Sequence, residues 1–225
     1  MRRIETKLTR DKVAAELRRA IMFGTFGPNE KLSQDKLAVD LGVSKMPVRE
    51  AIQILANEGL VTVRPNKAPV VNKISDDFIR DHFDVRSILE QEAIARAASR
   101  EDICEEDLQE LRDCLHRADI AIAADDYEGY NLCNWRIHQI IWRLSGNLKL
   151  EQLLSQLWHT MHVDNNAKEN ALVSHREHHR LVKAIVDKDS DAARKVMKPH
   201  VIRNFEKIMD IKRSGSQRRY IQIMV

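Results

Sequence analysis

The chain has 225 residues, 43% hydrophobic and only 5% aromatic, with seven glycines and five prolines; that is enough apolar material for one or two cores and favours helices over a β-rich fold. Its net charge of +3 is unevenly spread, since residues 1–74 carry 14 Lys and Arg against 8 Asp and Glu while the remainder carry 23 against 26, so the basic excess lies where a polyanion can be met. No apolar run approaches the ~20 residues of a membrane span and no apolar segment follows Arg2-Arg3, so neither a membrane anchor nor a signal peptide is expected and the protein is read as cytoplasmic.

The first predicted helix runs from Arg10 to Phe23, with Val13, Leu17, Ala20 and Ile21 on one face. Ser33 caps a second, short helix with Asp35 in its first turn and Leu37, Ala38 and Leu41 as its apolar set; Gly42 stops it where a left-handed residue is easiest. After a tight turn Ser44 is positioned to cap a third helix. Its residues Val48, Ala51, Ile52 and Leu55 recur at i, i+3, i+4 and i+7, leaving Lys45, Pro47, Arg49, Glu50 and Gln53 on other faces. Beyond Glu58-Gly59 the period changes from 3.6 to 2 through Leu60, Val61, Thr62 and Val63, then Pro65-Asn66 turns the chain into Val70 and Val71, which predicts a small hairpin with a basic tip. Isolated Lys and Arg usually only solvate a surface. Here Ser44 and Lys45 stand at a helix start, where backbone N–H groups, a positive dipole end and long donors can reach phosphates and base edges in a major groove.

A short linker, from about Pro69 to Ser75, ends in an S-D-D helix start. Successive amphipathic stretches follow over about 75–99, 105–124, 126–145, 147–163, 169–187 and 190–211, and they should form one bundle. Cys104, Cys114 and Cys133 make no CxxC pair and fall in helical patterns, which predicts buried free thiols. Asn134 and His138 leave one helix face at i, i+4; His175, His178 and His179 cluster further on, and His200 follows Pro199, a residue able to kink its helix. Spacing alone leaves these histidines as a metal site or, more commonly, as surface or hydrogen-bonded core residues. Residues 213–219 read as a flexible segment, with Tyr220–Val225 able to dock or fray.

The stretch KLSQDKLAVDLGVSKMPVREAIQILANEGLVTVRPNK, and within it the V-S-x-x-P-V-R-E-A block and E-G-L-V, closely resembles the winged helix-turn-helix of the GntR family of bacterial transcription regulators. By position, the resemblance implies DNA contacts from Ser33, Gln34, Ser44, Lys45, Pro47 and Arg49 and from the wing residues Arg64, Asn66 and Lys67. Where the family often has glycine near the wing tip, this chain has Ala68-Pro69. Further on, D-V-R-S-I-L-E from Asp84, N-x-x-x-H ahead of S-G-N, and E-H-H-R-L-V-K-A-I before A-A-R-x-V-M-x-x-H resemble the all-helical FCD effector domain of the FadR subfamily. In many members one Asp or Asn and three His hold a divalent metal, commonly zinc or nickel, beside an effector pocket. The resemblance implies Asn134, His138, His178 and His200 as that set, with Asn134 standing where Asp is common and so removing one negative charge. Arg86 is the candidate second contact, because a guanidinium pairs with a carboxylate in bidentate fashion; an ion pair within the bundle is its alternative role.

The expectation is therefore a mainly α protein: a winged helix-turn-helix of three helices plus a small β-wing over 1–74, an all-helical effector-binding and dimerisation domain of six or seven helices over 75–212, and a tail over 213–225. It should work as a homodimeric regulator, more a repressor than an activator, that binds double-stranded operator DNA under the control of a small organic acid. The rival reading is a metal-dependent enzyme using the histidine cluster. It lacks support from an H-E-x-x-H, a G-x-S-x-G or a Gly-rich phosphate loop, and Glu177 is the only acid beside the histidines.

Overall fold

A computed structural model describes residues 5–22, 24–161 and 168–214. Among them the elements run α1 (Glu5–Met22), α2 (Gln34–Asp40), α3 (Lys45–Asn57), β1 (Val61–Thr62), β2 (Val70–Val71), α4 (Asp76–Ser99), α5 (Glu105–Ala123), α6 (Tyr127–Leu144), α7 (Leu148–Thr160), α8 (Lys168–Val186) and α9 (Ser190–Ser214). The mainly helical class expected from the sequence is what is observed. The chain divides into two compact units, Met1–Ile79 with Ile211–Val225, and Arg80–Asp210. The sequence reading placed the joint between 74 and 75; Ile74 and Phe78 pack against the head core, so the first turn of α4 goes with the head.

That core includes most of the residues the periodicity selected, Val13, Leu17 and Ile21 of α1, Leu37 and Ala38 of α2, Val48, Ala51, Ile52 and Leu55 of α3, with Leu60, Val61 and Val71 from the wing; Ala14 and Leu32 join it unselected, whereas Ala20 and Leu41 are only half-buried. Ser33 accepts a hydrogen bond from the Lys36 N–H at 3.3 Å and so starts α2. Gly42 ends the turn after α2 at φ 63, in open space, so a side chain there would be opposed by backbone conformation rather than by packing. Arg18 of α1 clasps Glu58, the residue that caps α3, through two hydrogen bonds of 2.8 and 2.6 Å, with side chains 13% and 3% exposed. Cutting such a pair on one side strands a charge in the head. Arg18→Ala should therefore destabilise the head by roughly 2–4 kcal/mol, seen as an earlier head transition in urea; an unchanged midpoint would rule the clasp out as a stabilising contact.

The wing is narrower than the period-2 run suggested. Val61 pairs with Val71 and Thr62 with Val70, antiparallel, while Leu60 and Val63 stand outside the ladder. Lys31 adds an isolated bridge to Val70. Asn72 locks the base of the hairpin, donating to the Gly59 carbonyl and accepting from the Thr62 hydroxyl, both at 2.7 Å. At the tip the Lys67 N–H reaches the Arg64 carbonyl at 3.2 Å, and Asn66 takes φ 56, a left-handed conformation that asparagine tolerates.

The second unit holds α5 to α8 with most of α4 and α9, and the bounds of these six helices lie close to the six predicted stretches; residues 162–163, the end of one stretch, and the tail beyond Ser214 lie outside the described residues. Asp126 and Asn147 start α6 and α7 by accepting from the N–H groups of Gly129 and Leu150. Helix α9 continues through Pro199, which is exposed. Of the three cysteines expected to be buried only Cys114 is; Cys133 is half-buried, and Cys104 is exposed at the N-cap of α5, outside the helical pattern assigned to it, where its thiol donates to Asp107. Among the described residues no helix is long and apolar enough to cross a membrane.

Candidate nucleic-acid interface and metal centre

On the head, the start of α3 presents its polar groups to solvent. Ser44 occupies the N-cap with extended backbone, yet its hydroxyl makes no capping hydrogen bond, contrary to the expectation that it would. The hydroxyl and the first N–H groups of α3 therefore remain available to a phosphate. Lys45 and Arg49 are exposed, and Lys45 forms an ion pair with Asp35 at 2.8 Å in which both side chains are about 70% exposed, a contact of little worth in water. Ser33 is exposed and Gln34 half-buried at the start of α2; Arg64, Asn66 and Lys67 are exposed at the wing tip. Pro47 departs from the reading that turned it outward. It is buried with Val48, because its preset φ and missing N–H suit a helix's first turn and its ring faces the core. Met46, 61% exposed, was missed. Its position two residues before Val48, outside the apolar set, was the available signal, and a methionine there can meet a thymine methyl.

In the bundle, His138 of α6, His178 of α8 and His200 of α9 are all buried, with one ring nitrogen of each within 4.8 Å of the others. The Nε2 atoms of His138 and His200 are 3.0 Å apart. On the far side of each ring stands a carboxylate: Glu90 Oε2 lies 3.4 Å from His138 Nδ1, and Glu177 Oε2 lies 2.8 Å from His200 Nδ1. An acceptor on Nδ1 puts the proton there and aims the Nε2 lone pair inward. Two lone pairs then face each other across 3.0 Å, and His178 has neither ring nitrogen partnered. Burial first, then the neighbouring imidazoles, hold His178 well below its ordinary pKa, and burial lowers His200 to about 4 against the support of Glu177. His178 and His200 are thus neutral donors, and one ring nitrogen from each of the three histidines faces a common point. The donor set fits a divalent cation: two nitrogens each ~2.0–2.1 Å from one zinc ion lie about 3.0–3.4 Å apart. Asn134 is buried one turn before His138 on the same face of α6.

Behind the histidines lies a charged layer that the sequence reading half found. Arg86 is fully buried; its Nη1 donates to the Met161 carbonyl at 3.1 Å, its other contacts are to Glu90 at 3.4–3.5 Å, and its guanidinium lies 4.5 Å from the Trp158 ring centre. Glu90 also accepts from the Trp142 indole at 2.8 Å. Burial alone would raise the Glu90 carboxyl, but His138, Arg86 and Trp142 together draw it down to about 2, so it is ionised. Glu90 was missed as a site residue, although an Arg86–Glu90 pair at i, i+4 was visible within the D-V-R-S-I-L-E run. Glu177 is likewise engaged, by His200 and by Arg203 at 2.6 Å.

His82, four residues before Arg86, supplies a pH test. Burial and then the Arg86 charge lower its pKa from 6.5 to about 4. The unfolded chain therefore takes up this proton first as pH falls, and its contribution is complete above pH 6.5 and lost between about 6.5 and 4. The loss should reach roughly 2–4 kcal/mol. Urea titrations at pH 7.5 and 4.5 should show this part of the acid sensitivity disappear in His82→Phe; equal sensitivity in the two proteins would sink the assignment.

Comparison with known proteins decides the family. The model for bacterial regulatory proteins of the gntR family matches residues 9–71, and that for the FCD domain matches 81–203, more than half of the chain. This is a GntR-family protein with an FCD domain. The HTH-type transcriptional repressor RspR of Escherichia coli K12 is 29% identical over 206 residues, covering 89% of each chain. The Nta operon transcriptional regulator of Aminobacter aminovorans is 26% identical over 194 residues, covering 84% of this chain and 90% of that protein. Among solved structures, E. coli McbR/YncC superposes with a TM-score of 0.68 at 24% identity, covering 90% of this chain and 97% of that one, a likeness of fold. The GntR-family chain is accordingly a bacterial helix-turn-helix transcriptional regulator.

Proposed function

We propose that this regulator binds a short palindromic operator as a cytoplasmic homodimer of the FadR subfamily and is released by a small organic acid recognised in the FCD domain. The observation that carries the DNA reading is the exposure of Ser44, Lys45 and Arg49 at the start of α3 together with Arg64, Asn66 and Lys67 at the wing tip. Ser33 and Gln34 at the start of α2 would add phosphate contacts, whereas Pro47 would act by shaping the helix start. Repression is favoured because RspR, a relative over most of both chains, is a repressor.

In the bundle, His138, His178 and His200 would hold a zinc or nickel ion, with Asn134 as a weaker neutral fourth donor. Such an ion supplies a Lewis-acidic point for a carboxylate. The charge lost by having Asn at 134 is offset by Glu90 and Glu177, one hydrogen bond behind two of the rings. Arg86 would take the other end of the acid. Its contacts to Glu90 are long, so a ligand carboxylate can compete for its N–H groups. The acid would favour one arrangement of the dimer, and a coupling of ~1–3 kcal/mol would change operator affinity roughly 5- to 150-fold. Glu177, the acid a hydrolytic role would need, is held by His200 and Arg203, which supports regulation over turnover.

The test is selection of bound sequences from random duplex DNA, with and without chelator, at two salt concentrations. An enriched palindrome supports the reading. Salt-sensitive but sequence-blind binding, or turnover of a carboxylate panel without DNA binding, defeats it.

A further inference from the structure

A second cluster of histidines stands apart from the buried centre. His175 and His179 lie one turn apart on α8, and Asp119 reaches them from α5. His175 Nε2 is 2.7 Å from Asp119 Oδ1 and 3.1 Å from His179 Nε2, and His179 Nε2 is 3.8 Å from the same carboxylate oxygen. We propose that Asp119, His175 and His179 form a second divalent transition-metal site, at the surface of the bundle.

One proton can join only one pair of these three atoms. If His175 carries its proton on Nε2, it can point it at Asp119 or at His179 but not squarely at both. If His179 is the donor instead, the Asp119 oxygen faces the His175 ring nitrogen across 2.7 Å with no proton directed between them. A cation would engage all three atoms at once, after small side-chain adjustments by the half-exposed Asp119 and His179. His175 is 5% exposed, so packing holds its ring in place, and its other ring nitrogen, Nδ1, is buried without a partner. Asp119 and His179 are about half exposed, which leaves coordination positions open to water. Two imidazoles and one carboxylate suit Zn²⁺, Ni²⁺, Co²⁺ or Cu²⁺ and are a poor match for Ca²⁺ or Mg²⁺, which prefer oxygen. With three protein ligands and open positions the ion should be exchangeable and held more weakly than by the buried histidines. The His175 and His178 ring centres are 6.4 Å apart, so the two sites are neighbours that share no ligand.

Titration of the untagged, metal-stripped full chain with Zn²⁺ by calorimetry, and with Co²⁺ by visible absorption, tests this. The wild type should bind two ions per chain. His179→Gln and Asp119→Asn, both at half-exposed positions, should each weaken one of them at least tenfold, while His178→Leu keeps that ion and loses the other. One ion per chain that survives His179→Gln and vanishes in His178→Leu would overturn the surface site and leave the buried centre standing. One ion with the opposite pattern would uphold the surface site and remove the buried one. Two ions unaffected by His179→Gln, or none in any protein, would overturn the proposal.

Discussion

Zinc added to the metal-free protein should raise the melting temperature of the bundle by roughly 8–16 °C. The figure follows from mass action: at ~1,000 times the dissociation constant a ligand of the folded state adds about 4 kcal/mol, and each kcal/mol shifts a chain of this size by roughly 2–4 °C. The physical source is the buried donor set, in which the His138 and His200 Nε2 atoms face each other at 3.0 Å and both nitrogens of His178 have no protein partner. His178→Leu makes the sign of the argument testable. Removing two unsatisfied buried nitrogens should leave the variant in chelator as stable as the wild type or more so, by about 1–2 kcal/mol, while most of the zinc-induced shift disappears. Differential scanning calorimetry in chelator and in zinc gives both numbers. A variant destabilised in chelator and still stabilised by zinc to the full extent would refute the three-histidine centre. Because the chain has two units, the bundle transition has to be followed separately from that of the head.

Replacing Lys45 and Arg49 together by alanine should reduce operator affinity by 10²- to 10⁴-fold, from ~1–3 kcal/mol for each side chain. Both are exposed at the start of α3, and neither belongs to the head core, so the fold should survive. The single variants separate two roles. A side chain that serves a phosphate lowers affinity alike for all sequences and flattens the salt dependence by about one unit, whereas one that reads a base edge relaxes specificity at one position. Fluorescence anisotropy on a selected operator and on a scrambled duplex distinguishes them. Unchanged affinity in the double variant, with zinc-induced stabilisation intact, would move the DNA interface elsewhere.

The architecture was legible because helical periodicity is a local property. Val48, Ala51, Ile52 and Leu55 are buried as their spacing required, Gly42 turns at positive φ, and the six bundle helices begin and end close to where caps and breakers set them. Departures occurred where a residue's fate depends on what lies across from it. Pro47 is buried although the helical wheel turned it away, because the first turn of α3 faces the core on a side that the repeat does not report. Cys104 is exposed because it caps a helix instead of lying within one. The wing ladder is two pairs long although the alternating run is longer, since pairing needs a partner strand and only Val70 and Val71 supply it.

For the bundle, composition and spacing alone determined that histidines recur on helical faces, and the likeness to a family singled out His138, His178 and His200. Only the tertiary structure decided that these three converge, that Glu90 and Glu177 stand behind His138 and His200, and that His175 and His179 instead turn to Asp119. The reason is geometric. Periodicity fixes the face a side chain leaves from, but which faces meet depends on how helices whose contacting residues are 23 to 62 positions apart in the chain pack together, and that is set by the shapes of whole apolar surfaces.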